Sequence, residues 1–160
     1  MTTLGIDPGS HRIGYGLIRE SSKPELLSCG LIEIHDTNAL RLDTLFEQIT
    51  QLLDSTRPDS VAIERLFFNK NQKTFSAVLH ARGVILLAVQ QRSIPYIELT
   101  PLEVKQAIGG SGRADKKSVS FFAARILGVK TFPGPDDVSD AVAIALAGAR
   151  RLRSLIPKTS

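Results

Sequence analysis

Three strand-like segments crowd into the first 34 residues, and this crowding limits the possible folds more than any other feature of the chain. "TLGIDPG", "RIGYGLIRE" and "LLSCGLIEI" each show strand character, and Ile13, Tyr15 and Leu17 alternate onto one side of the second. The links between them are too short for the crossover that a parallel pair requires, so neighbouring segments must run antiparallel. The period then changes. Leu42, Leu45, Phe46, Ile49, Leu52 and Leu53 recur at helical spacing, and Arg57-Pro58 stops the pattern. "SVAIERL" reads as a strand, residues 71–92 as a helix containing "GVILLAV", and "IPYIEL" as a fifth strand. A short helix at "PLEVKQAI" follows. "KKSVSFFAARILG" is an amphipathic helix whose expected core residues are Phe121, Phe122 and Ile126, and "DDVSDAVAIALAGARRLRSL" is a closing helix. Later strands separated by helices return in parallel. The expected fold is therefore α/β: a mixed five-stranded sheet, three antiparallel strands and then parallel ones, with helices on both faces. Residues 1–156 form one expected domain and 157–160 a short tail.

Composition narrows the class. Hydrophobic residues make up 42% of the 160 and charged residues 22%, ordinary values for a chain with a real core. No apolar run approaches the ~18 residues of a membrane span, and no basic segment followed by an apolar one opens the chain. With Cys29 the single cysteine, no internal disulfide is possible, so a cytoplasmic protein with no membrane partner is expected. The net charge of +4 leans toward anionic partners. The basic residues gather around "FFNKNQK" and around the glycine-rich loop "GGSGRADKK". That loop lacks the spacing of a nucleotide-binding P-loop.

Carboxylates in unexpected places carry the chemistry. Asp7 ends an apolar strand, where Asp-Pro-Gly is also good turn chemistry. Glu64 lies in "SVAIERL" on the side opposite Val61 and Ile63, a costly place unless it is paired, for instance with Arg65, or bound to a metal. Asp137 and Asp140 are three apart and share one helix face. The helix dipole accounts for Asp136 and Asp137 but poorly for Asp140, one turn further in. If the first and fourth strands are neighbours and the closing helix crosses them, Asp7, Glu64, Asp137 and Asp140 meet in one site. Such a cluster needs cations, because like charges raise one another's pKa. Its all-oxygen ligands suit magnesium, or manganese as a substitute. Two such ions about 3.5–4 Å apart can hydrolyse a phosphodiester.

These motifs, in this order, resemble those of the RuvC family of Holliday junction resolvases, within the ribonuclease H-like nucleases. "GIDPG" with Gly14 and Gly16 is similar to the family's first-strand motif. "AIERLFFNKN" resembles its Glu strand and following aromatic loop, "ARGVILLA" its central helix, "VKQAIGGSGRADKKSV" its basic loop, and "DDVSDAVAIALA" its closing acidic helix. The resemblance implies that Asp7, Glu64, Asp137 and Asp140 are the catalytic and metal-binding acids, with two magnesium ions per site. It implies that Phe67 acts as a wedge and that Lys70, Lys105 and Lys116 face DNA. Phe68, Arg113 and Lys117 join the expected DNA contacts from their positions beside these residues. The implied activity is paired, symmetric nicking of four-way junction DNA in recombination and repair, with the RuvA–RuvB branch-migration complex as partner. An actin-like ATPase lobe also uses an Asp-x-Gly after its first strand, but it would leave Asp137 and Asp140 idle.

A four-way junction has strands of like polarity related by an approximate two-fold axis. Two coordinated nicks therefore call for a two-fold homodimer. The helix of "ARGVILLAVQQR" is apolar nearly all round, more than one buried face requires. Val78, Arg82, Ile85 and Val89 are the expected contacts.

Overall fold

The computed structural model describes residues 1–34, 41–66 and 72–155. Five strands form one sheet: β1 (Thr2–Asp7), β2 (Arg12–Arg19), β3 (Glu25–Glu33), β4 (Ser60–Glu64) and β5 (Tyr96–Leu99). Their order is β3-β2-β1-β4-β5. The β1/β2 and β2/β3 pairs are antiparallel, while β1/β4 and β4/β5 are parallel. The short early links and the helical later ones thus produce the mixed sheet that the sequence predicts.

Strand alternation assigns the two faces. Leu4, Ile6, Val61 and Ile63 point to one side, where they pack with Ile49 and Leu53 of α1 (Leu42–Thr56) and Ile85 and Val89 of α2 (Gln72–Gln91). Helix α1 ends at Arg57, which takes a left-handed conformation (φ 42°) and donates its N–H to the Leu53 carbonyl, and Pro58 then bars continuation. The opposite face carries Ala62 and Leu99 against α3 (Pro101–Gly109), α4 (Lys116–Leu127) and α5 (Asp136–Leu155).

Helix α5 lies very close to the sheet, and glycines make this possible. A Cβ on Gly5 would run into the backbone of Ala141 and Ala145, and one on Gly14 into the carbonyl of Asp137. A Cβ on Gly16 would come within 2.6 Å of Val142 Cγ2. Facing these bare strands, α5 presents a fully apolar buried run, Ala141 through Ala145, with Ala141 and Ala145 against Gly5. The first turn of the helix therefore rests on Gly14, which is the β-ladder partner of Asp7.

Two expectations fail here. Phe121 and Phe122 are not core residues: they are 56% and 41% exposed, while Val119, Ala123, Ala124 and Leu127 form the buried stripe of α4. The pattern of α4 admits both stripes, and the space beneath it is already filled by the close packing of α5. Likewise Ile85 and Val89 are fully buried in the chain's own core. Among the residues that α2 turns outward are Leu79 and Leu87, with Gly83 between them.

Candidate active site

The C-terminal ends of β1 and β4 lie side by side, as Ile6 pairs with Ile63. The next residues, Asp7 and Glu64, alternate onto the α5 face. Asp140, one turn into α5, meets them there. These three carboxylates line a cavity of about 290 Å³, together with Lys105 of α3 and Lys116 of α4 and an apolar floor that includes Val104, Val119 and Ala143. Asp137 does not line this cavity. Its charge still reaches Asp7, and its Oδ2 lies 3.6 Å from Nη2 of Arg12.

The two lysines are brought in by well-capped helices. Thr100 caps α3 through a reciprocal capping box with Glu103, and Pro101 fills the first position. This fixes the turn that carries Lys105. Asp115 caps α4 by accepting the Ser118 N–H at 2.7 Å, so Lys116 is the first helical residue and reaches over the acids. Its Nζ donates to Asp140 Oδ2 at 2.7 Å.

The electrostatics are those of crowded anions. Burial, followed by the charges of Glu64, Asp140 and Asp137, pushes the Asp7 carboxyl from 3.8 up to about 7, against the lowering effect of Lys116. Burial and the Asp140 charge also raise Glu64, opposed by Lys116 and Lys105. The hydrogen bond to Asp140, with the surrounding anions, raises Lys116 and keeps it charged. The oxygen-only donors and the strain among them fit a hard divalent cation in type. Among the described residues, however, no group of three ligands is arranged to hold an ion as placed. Lys116 occupies Asp140, and Arg12 lies beside Asp137.

The other expected residues divide. Lys117 lines a second cavity beside the first. Arg113 is exposed in the loop between α3 and α4 and lines neither. Phe67, Phe68 and Lys70 lie outside the described residues. Glu64 does not pair with Arg65. Arg65 turns instead to Glu98, with Nε 3.4 Å from Oε2, and Glu98 also holds Arg82 of α2 at 2.6 Å. The sequence reading missed Glu98 and Arg12. Glu98 in "YIEL" carries the same signal as Glu64, an acid within an apolar strand. Only the face separates them, since Ile97 and Leu99 take the α5 side and leave Glu98 on the α2 side.

An antiparallel-then-parallel sheet with carboxylates where β1 and β4 adjoin, crossed by an acidic helix, is a ribonuclease H-like fold. The particular family follows from comparison. The model of the family described as crossover junction endodeoxyribonuclease RuvC matches residues 3–148. RuvC of Moorella thermoacetica is 43% identical over 152 residues, covering 93% of this chain and 91% of that protein. The protein of Desulforamulus reducens is 44% identical over 153 residues, 94% of each. Among solved structures, Thermus thermophilus RuvC in complex with a Holliday junction substrate superposes with a TM-score of 0.89 at 32% identity, covering 96% of both chains. The chain belongs to the RuvC family.

Proposed function

We propose that the carboxylate cavity is the nuclease centre with which this chain cuts four-way DNA junctions. The chain acts as a Holliday junction-resolving endonuclease in DNA recombination and repair. The observation that carries the site assignment is the meeting of Asp7, Glu64 and Asp140, from three separate elements, in one cavity beside two lysines.

Asp7, Glu64, Asp137 and Asp140 would hold magnesium, with manganese as a substitute and two ions per site. Bound there, the ions supply activation of a water and stabilisation of the leaving oxygen. The hydroxyl of the attacking water ends on phosphorus, the P–O bond to the leaving nucleotide breaks, and the departing oxygen takes up the proton. Lys105 and Lys116 hold the phosphate at the mouth of the cavity as point charges. Lys116 has a second part: its ammonium neutralises Asp140 through their ion pair. With Asp140 engaged by a bound ion, that ammonium would be free for phosphate. Arg113, Lys117, Lys70 and Phe68 extend the DNA contacts, and Phe67 acts as the wedge at the junction centre.

We further propose a two-fold homodimer through the outward face of α2 rather than through the residues expected from sequence. Leu79 and Leu87 are 43% and 49% exposed, and nothing stands within 4 Å of where a Cβ on Gly83 would be. Spaced four apart, the three residues form one stripe that a partner helix can approach closely. Two sites so related make two symmetric nicks. RuvA–RuvB is the branch-migration partner, and the cytoplasm the compartment. Among the described residues no helix is long and apolar enough to cross a membrane.

The test is cleavage of a synthetic mobile four-way junction beside duplex, splayed and RNA–DNA hybrid substrates, with and without magnesium. Cutting of the junction alone, and only with the ion, is expected. Equal cutting of duplex or hybrid contradicts the assignment.

A further inference from the structure

The acidic cavity has a neighbour that the nuclease chemistry does not use. A groove of about 350 Å³ lies between α4 and the segment leading into α5. Its lining includes Lys117, Ser120, Phe121, Lys130 and Thr131, none of which touches the acidic cavity. The two hollows share Lys116 and Asp140, so the ion pair between them is their common wall. Phe121 is 56% exposed, with its ring edge-on to Phe122 at a centroid distance of 5.6 Å and the Arg125 guanidinium 5.8 Å from its centroid. The ring is thus braced from its own helix while remaining open to solvent. The negative groups at the groove are Asp140, already engaged by Lys116, and Asp136 in the first turn of α5.

We propose that this groove binds the nucleotide next to the scissile phosphate on the cut strand. Lys117 and Lys130 take its phosphate, and Phe121 packs on its sugar or base. The proposal rests on the nuclease reading of the adjacent cavity. Two observations select this occupant. Ammonium and hydroxyl groups around an exposed aromatic are the combination that holds a single nucleic acid strand, through charge on the backbone and a flat surface for stacking. In addition, the groove is continuous with the place where the strand would be cut, so a strand seated on Lys116 runs on into it.

The experiment measures binding without metal, on a synthetic four-way junction whose cut strand carries one methylphosphonate beside the scissile phosphate, first on one side and then on the other. A neutral linkage on one side only is expected to weaken the unaltered protein roughly five- to tenfold, the loss of one charge-assisted contact. Lys130→Ala should weaken binding to the unmodified junction by a similar factor. It should also reduce the salt slope by about one and lose less to the methylphosphonate than the unaltered protein does, the remainder being the contact of Lys117. Phe121→Ala should weaken binding without changing the slope. Both residues are exposed, so neither change disturbs the core. Unchanged affinity in both variants overturns the proposal and points to a protein partner for this face. So does a Lys130→Ala loss that adds in full to the methylphosphonate loss on each side. Failure of the unaltered protein to prefer the junction over duplex contradicts the junction reading itself, which separates the two failures.

Discussion

Asp7 is held in a place that costs the fold something. Its carboxyl is raised from 3.8 to about 7 chiefly by burial. A raised carboxyl binds more protons in the folded than in the unfolded chain between those two values. The folded state is therefore progressively disfavoured as pH climbs from about 4 to about 7, and the penalty is full above that. In metal-free protein, Asp7→Asn is expected to raise stability on the order of 1–3 kcal/mol at pH 8 and to change little at pH 4. Denaturant unfolding at the two pH values checks this, and an Asn variant less stable at pH 8 would contradict it. The proposed role of the lysines is directed toward the substrate. Lys105→Ala and Lys116→Ala should each flatten the salt dependence of junction binding by about one phosphate contact. Unchanged slopes in both would mean that the DNA runs elsewhere.

At the scale of elements, the site depends on how closely α5 is allowed to lie on the sheet. Gly5 and Gly14 have no room for a Cβ against the α5 backbone. Gly5→Ala is expected to cost about 1–3 kcal/mol, because backbone cannot move aside as a flexible side chain can. It should also slow cutting by shifting Asp140 away from Asp7. Thermal unfolding beside a cleavage assay checks both, and wild-type behaviour in each would contradict this role. The same elements show what the sequence makes legible. Strand alternation placed Glu64 opposite Val61 and Ile63, and the three-residue spacing put Asp137 and Asp140 on one helix face. Their meeting with Asp7 depended on strand order, which the short early links and helical crossovers determined. Which apolar stripe of α4 and α2 is buried was not legible. Phe121 and Ile85 carry the same hydrophobic signal, yet one is exposed and the other fully buried, because the decision belongs to the neighbouring helices. Nor did the sequence show that Asp137 pairs with Arg12, since helical spacing gives a face and not a partner.

For the whole molecule, resolution of a junction requires two cuts from a chain with one carboxylate site. In the proposed dimer, the outward stripe of α2 is the surface that meets the second copy. Leu79→Glu together with Leu87→Glu places charge on that exposed stripe without entering the core, so the chain should fold and sediment as a monomer. It is expected to nick junctions on one strand without coordinated resolution. A double variant that remains dimeric, or a monomer that still resolves with paired nicks, would rule this interface out.

The central claim is that carboxylates from β1, β4 and α5 act as one metal-dependent cutting site, while the basic surface binds the junction separately. The most direct measurement compares wild type with Glu64→Gln and Asp140→Asn, scoring cleavage and binding of one synthetic four-way junction in magnesium. Both variants keep the shape of the side chain and remove its charge. The expected result is junction binding within a fewfold of wild type and cleavage reduced by at least about a hundredfold in each variant. Near-normal cleavage by either variant would contradict the claim.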